Sequence, residues 1–582
     1  MRNEYDVIVI GGGHAGVEAG DAVARLGHSC LLITFNSDRI ANMPCNPHIG
    51  GSAKGIVVRE IDALGGVMGV AADEHPLQIK MLNTGKGPAV QCLRSQQDKK
   101  RYPSTVRRLL ANSPNLDILE DEVVSLSMEE GQFKGTKTKN HGLLRGKAVV
   151  LACGTYLDSK VYVGSVGKSE GPDGEPSSSF LSTALKNLNI ATWRLKTGTP
   201  PRLDKKSIDF SKAQVEPGMG GELAFSYRTK CFTPLEKQLP CYLIYTNEKT
   251  HAIIMDNLSS SALFNGVINS TGPRYCPSIE SKVTRFADKP RHQLFLEPEY
   301  EEGDSIYLQG FSTALPKEIQ VEMVHSLPGL ENAVILKYAY QIEYEAIRPE
   351  EFDVTLALRR FPNVFIAGQI CGTSGYEEAA GLGLVAGTNA VKKIEGKEPL
   401  VLHRNEAYIG VMIDDLVTKG IDEPYRLLSS RAEYRLLLRH DNADERLTEI
   451  GYRLGLVSEE EHDAFLWKQK RIGEAISILK TTTFSAKDGL AELFANKGLP
   501  YEGNGIKGFD LLKRPGFTYS EIQRFREELL ALGLSGDEIL CLETKVKFEG
   551  YLAREKKEAE NLLKQDAVAL PGDIDYLHTS RS

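Results

Sequence analysis

Three glycines and two cysteines carry the chemistry that this sequence offers first. Gly11-x-Gly13-x-x-Gly16 follows a β-branched apolar run and opens an alanine-rich, helix-forming one. At such a turn the backbone N–H groups and the positive helix end hold a pyrophosphate, and the glycines allow the turn, the close approach of phosphate and tight helix packing. The spacing therefore points to a dinucleotide site. The acid expected about 20 residues further on, where it would bind a ribose hydroxyl, is missing. Thr34, Phe35 and Asn36 stand there, and Asn36 is the weaker substitute.

Cys45 lies between Pro44 and Asn46-Pro47 in a glycine-rich stretch, while Cys276 lies between Tyr275 and Pro277, two residues after Arg274. Loops of this composition expose a thiol, and a neighbouring guanidinium favours the thiolate, the nucleophilic form. A lone cysteine is otherwise a small buried apolar residue. That is the reading for Cys30, Cys153, Cys371 and Cys541, whose flanks are strand-like or helical. The nine cysteines include no C-x-x-C pair, which removes the dithiol of a disulfide reductase and suits a reducing, cytoplasmic setting. No metal site is expected.

The elements that must position these groups follow from the pattern of the chain. Residues 5–10 read as a strand, the glycines as a turn, the run to Leu26 as a helix and residues 30–34 as a second strand, together a β-α-β unit. Residues 42–69, rich in Gly and Pro, read as a long loop on the cofactor side. A further strand is expected at 147–152, and a mobile Gly, Ser and Pro segment at 164–179. The runs CYLIYT and HAIIMD around the turn Asn247-Glu248-Lys249 suggest an inserted, β-rich subdomain. FIAGQICGTSGYEEAAGLGLVAG reads as a strand, a tight turn and a small-residue helix that closes the first domain, and helical periodicity dominates after Leu400. The expected division is 1–201 and 273–399 for the two parts of a cofactor-binding domain, 202–272 for the insert and 400–582 for a helical region.

With 582 residues the chain is too long for one core. Its 41% hydrophobic, 25% charged and 8% aromatic content is that of a soluble globular protein, and no apolar run has the length of a membrane span. The N-terminal charged residues lead straight into a strand, without the cleavage site of a signal peptide. A net charge of −8 argues against a nucleic-acid coat protein, so any RNA site must be a local basic patch. Arg431, Arg435 and Arg439 repeat at four-residue spacing, which would align them on one helix face, with Arg426 just before. Pairing with Glu433, Asp441 and Asp444 is the alternative. Lys99, Lys100, Arg101, Arg107 and Arg108 form a second basic cluster, and Lys54 and Lys196 read as phosphate or pyrimidine contacts or as solvated charges.

GGGHAGVEA, MPCNPHIGGSAKG, EIDALGG and GKGPAVQ are followed in order by LACGTYLDSKVYVG, KTGTPPR, GPRYCPSIE, RHQLFLEPE, IAGQICGTSGYEEAAGLGLVAG and SSRAEYRLLLRHDNADERLT. In order and spacing this series resembles the MnmG (GidA) family over nearly the whole chain. The resemblance implies an α/β fold, with a glutathione-reductase-like Rossmann FAD domain, an inserted β-rich, NADH-associated subdomain and an α-helical C-terminal region that meets tRNA and a partner. It implies a homodimer that adds a (carboxymethyl)aminomethyl group to carbon 5 of a wobble uridine in tRNA. FAD, NADH, methylenetetrahydrofolate as carbon donor and an MnmE-type GTPase would take part. Carried over residue by residue, FAD contacts fall on Gly11, Gly12, Gly13, His14, Ala15, Gly16, Val123, Gln369 and Ser178, the last within a run of three serines. The NAD stretch falls on Gly272, Pro273, Arg274, Tyr275, Pro277, Ser278 and onward to Phe286, a segment that could equally face substrate. The family match makes Cys45 and Cys276 the catalytic candidates, one attacking carbon 6 of uracil or holding a methylene unit, with their division of labour open.

Family members continue beyond the equivalent of GDIDYLHTSRS with a small helical module tied to the GTPase partner, whereas this sequence ends at Ser582. His440 stands where an acid is common. Two rival readings are a folate- and FAD-dependent tRNA methyluridine methyltransferase, a shorter family without the SRAEYRLLLR region, and a tRNA-binding flavoprotein scaffold in which both cysteines are dispensable.

Overall fold

The computed structural model describes Arg2, residues 4–273 and residues 277–566. Unbroken apolar runs build a sheet that is covered on both faces, as parallel strands require. Val7, Ile8 and Val9 are wholly buried, and so are Leu31 and Leu32 of the next strand. The strand Glu4–Ile10 pairs in parallel with Cys30–Thr34 on one side and Gly142–Leu151 on the other, so that Val9 faces both Leu32 and Val150. Leu116–Glu120 and Phe361–Ile366 extend the two edges, again in parallel.

The helix His14–Arg25 crosses from the first strand to the second, and the helix Tyr376–Glu395 packs along it. Small residues make this packing close. A methyl group on Gly383 would lie 2.1 Å from the Ala15 carbonyl oxygen, and one on Gly387 would lie 2.5 Å from that of Ala19.

Several segments differ from their expected form. Residues 42–69 are not one loop: they contain the strand His48–Gly50, the helix Lys54–Ala63 and the start of the helix Met68–Glu74. Ile56, Val57, Val58 and Ile61 are fully buried, so packing drives the helix, while the glycines punctuate its ends. HAIIMD is not a strand but part of the helix Glu248–Asp256. Asn247 caps it, its Oδ1 accepting the Thr250 N–H at 2.9 Å, and the buried positions Thr250 and Ile254 keep helical spacing. In the segment 164–179, Val166–Lys168 pairs antiparallel with Lys160–Val163.

The inserted sheet has six strands, in the order Gln214–Glu216, Cys241–Tyr245, Gln293–Pro298, Ser305–Gln309, Arg202–Asp204 and Ile335–Lys337. The expected boundary at residue 272 therefore falls inside this sheet, because three of its strands come later in the chain. A separate four-stranded sheet joins Thr192–Thr199 to Tyr340–Ile347 at the root of the insert. Beyond residue 458, the helices Glu459–Thr481 and Gly536–Lys547 share a core of their own with Phe484, Phe494 and Tyr519. The fold is thus of the expected class, an α/β structure with a parallel Rossmann-like sheet, a β-rich insert and a helical C-terminal region. Among the described residues no helix is long and apolar enough to cross a membrane.

Candidate active site

A cleft of about 1070 Å³ opens beyond the carboxyl ends of Glu4–Ile10 and Cys30–Thr34, where open α/β sheets bind their ligands. Its floor is the glycine turn. Gly11 has φ +113°, and a methyl group there would lie 2.3 Å from the Ala152 carbonyl oxygen. On Gly16 it would lie 1.8 Å from the Gly11 carbonyl oxygen, whereas Gly13 has no atom that close and faces open space. No side chain caps the helix that begins at His14, so its first N–H groups are available to a phosphate.

The His14 ring is buried, which draws its pKa down to about 4, and its Nε2 has no partner among the described residues. A neutral ring nitrogen in want of a partner and a glycine cradle at a helix N-terminus both fit a dinucleotide. Gly11, Gly12, Gly13, His14, Ala15, Val123, Ser178 and Gln369 all line the cleft, as does Asn36 in place of the missing acid. Gly16 stands behind it, in the packing position.

Asp121 and Tyr376 are among the lining residues that the sequence reading did not single out. Burial alone would raise the pKa of Asp121, but hydrogen bonds from the His141 ring, the Glu122 N–H and Asn140 hold it at about 2. Only the acidic run around it could have drawn notice. Tyr376, the first residue of the long helix, also lines the cleft, and its ring stacks on that of His14 at 4.7 Å. Its phenol oxygen accepts the backbone N–H groups of Cys45 at 3.0 Å and Asn46 at 3.2 Å. Pro44 lines the cleft but Cys45 does not; its sulfur lies 3.6 Å from the Gly198 carbonyl oxygen.

Arg274, Tyr275 and Cys276 lie outside the described residues. On their flanks, a methyl group on Gly272 would lie 2.8 Å from the Lys196 side chain. Ser278 caps the helix Ile279–Arg285, accepting the Ser281 N–H at 3.3 Å, and Phe286 is half-exposed at its end. Gly272, Pro273, Pro277, Ser278 and Phe286 do not line the dinucleotide cleft. Cys30, Cys153, Cys371 and Cys541 are buried, and burial pushes the thiols of Cys153 and Cys541 up to about 12. Lys54 is no phosphate contact: it is buried against Glu377 at 3.1 Å and Glu378 at 2.9 Å.

The arginine stripe is not a helix face. Residues 429–442 run as two short 3-10 turns joined by irregular backbone. Arg439 is 1% exposed and grips Asp441 with Nε at 2.9 Å and Nη2 at 2.7 Å, so it cannot meet a nucleic acid. Arg435 is exposed, Arg431 is partly exposed over the Tyr425 ring, and Arg426 is half-buried. Glu433 pairs with Arg404 and Asp444 with Lys468, which leaves neither for the stripe. In the second basic cluster Lys99, Arg101 and Arg108 pair with Glu299, Glu301 and Glu74. Among the described residues no group of His, Cys, Asp and Glu could hold a metal ion.

A family model described as "Glucose inhibited division protein A" matches residues 6–398, and one described as "tRNA modifying enzyme MnmG/GidA C-terminal helical domain" matches residues 459–556. The chain is 50% identical over 574 residues to the "tRNA uridine 5-carboxymethylaminomethyl modification enzyme MnmG" of Geobacillus thermodenitrificans, covering 98% of this chain and 90% of that one. It is 47% identical over 576 residues to the protein of the same description in Caldicellulosiruptor saccharolyticus, covering 99% and 91%. The solved structure of Aquifex aeolicus GidA superposes with a TM-score of 0.88 at 43% identity, covering 99% of this chain and 92% of that one.

Proposed function

Because the chain belongs to the GidA family, an enzyme family, we propose that it is an FAD-dependent enzyme that builds a 5-carboxymethylaminomethyl group on the wobble uridine of tRNA. The observation that supports this reading is the hydrogen bond from the Cys45 backbone N–H to Tyr376, a residue that lines the cleft. Backbone N–H groups from Gly11 to Ala15 would hold the FAD diphosphate, with Val123, Ser178 and Gln369 along its length. When bound, FAD supplies the two-electron change that a one-carbon unit needs and that side chains cannot provide.

The Cys45 thiolate adds to carbon 6 of the uracil, which makes carbon 5 the nucleophile toward the one-carbon unit. Carbon 5 then loses its proton and the thiol leaves, restoring the double bond. Cys276, in the stretch that follows Gly272 in the sequence, is the second thiol of the scheme. Methylenetetrahydrofolate as carbon donor, NADH as reductant at the stretch from Gly272 to Phe286, a homodimer, an MnmE-type GTPase partner and a cytoplasmic setting complete the proposal on the strength of the family resemblance. We place the insert at 202–337 and the tRNA-facing arginines at Arg426, Arg431 and Arg435. The match of a C-terminal helical domain over residues 459–556 favours this reading over the methyluridine methyltransferase.

The test is nucleoside analysis of tRNA from cells that lack this protein, complemented with the wild-type chain or with Cys45→Ser. Loss of the wobble modification, restored by the wild-type chain and not by Cys45→Ser, is expected. Loss of T-loop methyluridine instead would overturn the assignment, and a purified protein that gains no yellow colour with added FAD would overturn the cofactor.

A further inference from the structure

The backbone around Cys45 is held from two sides at three consecutive residues. On one side lies the Tyr376 phenol, which takes the N–H groups of Cys45 and Asn46. On the other, Arg202 Nη2 donates to the carbonyl oxygens of Pro44 at 2.8 Å and Cys45 at 2.9 Å. The Thr199 hydroxyl adds a third hydrogen bond on this side, to the Cys45 carbonyl at 3.0 Å, and is itself bonded by Arg202 Nη1 at 2.6 Å. With its N–H and carbonyl both engaged, the Cys45 backbone cannot rotate without breaking several part-buried hydrogen bonds.

The clamp is itself anchored. Arg202 is 3% exposed, and its Nε donates to Glu299 Oε1 at 3.1 Å. Lys99 Nζ reaches the same oxygen at 3.0 Å, so two cations share one carboxylate. Burial holds the Tyr376 phenol well above the usual tyrosine range, and it stays protonated as an acceptor of two N–H groups. The charged and titratable groups that act on Cys45 include Arg202 and Lys99, both bonded to Glu299, and the phenols of Tyr340 and Tyr376. The Arg202 and Lys99 cations favour the thiolate, and the Glu299 carboxylate they share offsets part of that effect.

We propose that Arg202 and Tyr376 form a two-sided backbone clamp that fixes the position of the Cys45 thiol next to Pro44 at the cleft, and that both are positioning residues of the reaction. The clamp rests on the reading of Cys45 as the reacting thiol. Through the stacking of Tyr376 on His14 it also links the phosphate-binding helix to that thiol, so that cofactor grip and nucleophile share one rigid contact.

The experiment is alkylation of Cys45 by iodoacetamide across pH in the full-length flavin-loaded protein, read by mass spectrometry of the Cys45 peptide. Wild type is compared with Tyr376→Phe, Arg202→Lys and Arg202→Gln, with flavin absorbance confirming a folded cleft. Arg202→Gln should move the alkylation midpoint upward by roughly 1 unit, while Arg202→Lys, which keeps the charge, should leave it in place. Tyr376→Phe should slow alkylation about tenfold without moving the midpoint, and should lower kcat for tRNA with KM unchanged. Arg202→Lys and Tyr376→Phe keep the test open should Arg202→Gln fail to fold. An unaltered alkylation rate in flavin-bound Tyr376→Phe, in an enzyme that Cys45→Ser inactivates, overturns the clamp alone. Full tRNA modification by Cys45→Ser overturns the reading of that thiol, and with it the catalytic role of the clamp.

Discussion

Gly16 has no room for a methyl group. Gly16→Ala would drive its new carbon into the Gly11 carbonyl and lift the helix His14–Arg25 from the turn below it. The expected outcome is a folded but colourless protein, checked by flavin absorbance after purification with excess FAD. Such glycines were legible in the sequence because a backbone demand leaves its mark on composition. The arginines were not, since four-residue spacing looks alike whether the side chains share a helix face or lie in turns. Burial separates them. Arg439→Ala strands the buried Asp441 carboxylate and should cost about 3 kcal/mol or more of stability in a denaturant melt. Arg435→Ala should leave the melt unchanged and weaken tRNA binding by an amount that shrinks as salt rises, measured by filter binding.

At the scale of elements, the β-α-β opening was legible from its apolar runs, but two helices were not. The helix Lys54–Ala63 hides between glycines that read as loop, and the helix Glu248–Asp256 hides in a run whose Ile-Ile pair suits either period. The first of these also ties the helical region to the sheet. Its Arg59 pairs with Asp537, at the start of Gly536–Lys547, at 2.7 Å. His440 packs between them, fully buried, with both ring nitrogens unpartnered among the described residues. Burial first, and then the Arg59 charge, draws its pKa from 6.5 to about 3.

The folded protein therefore keeps this ring neutral, while the unfolded chain binds a proton below pH 6.5. Its contribution to stability is lost as pH falls from about 6.5 toward 3. Glu18 acts in the opposite sense: burial raises it from 4.5 to about 7, so its contribution is lost as pH rises through that window. The two are separated by comparing wild type with His440→Gln. Between pH 6.5 and 4 the wild type should lose roughly 2–3 kcal/mol more than the variant in urea melts, and equal losses would refute the buried neutral ring.

Over the whole molecule, the order of the parts was legible and the extent of the insert was not. The strands Gln293–Pro298 and Ser305–Gln309 resemble those of the main sheet in composition, and only their antiparallel pairing assigns them elsewhere. The helical region beyond residue 458 has its own core. A chain ending at residue 457 should therefore still take up FAD, read as colour, and fail to restore modified uridine in cells that lack the protein. Colour lost together with the helices would mean that the cleft depends on them.

Where the helices His14–Arg25 and Tyr376–Glu395 meet, bare backbone touches bare backbone at Gly383 and Gly387. One helix begins at the glycine turn and the other at the tyrosine bonded to the Cys45 backbone, so this seam works as a fixed spacer that sets the jaw width of the cleft. Even a single methyl at Gly383 would pry the jaws apart, though no residue that lines the cleft had itself been changed.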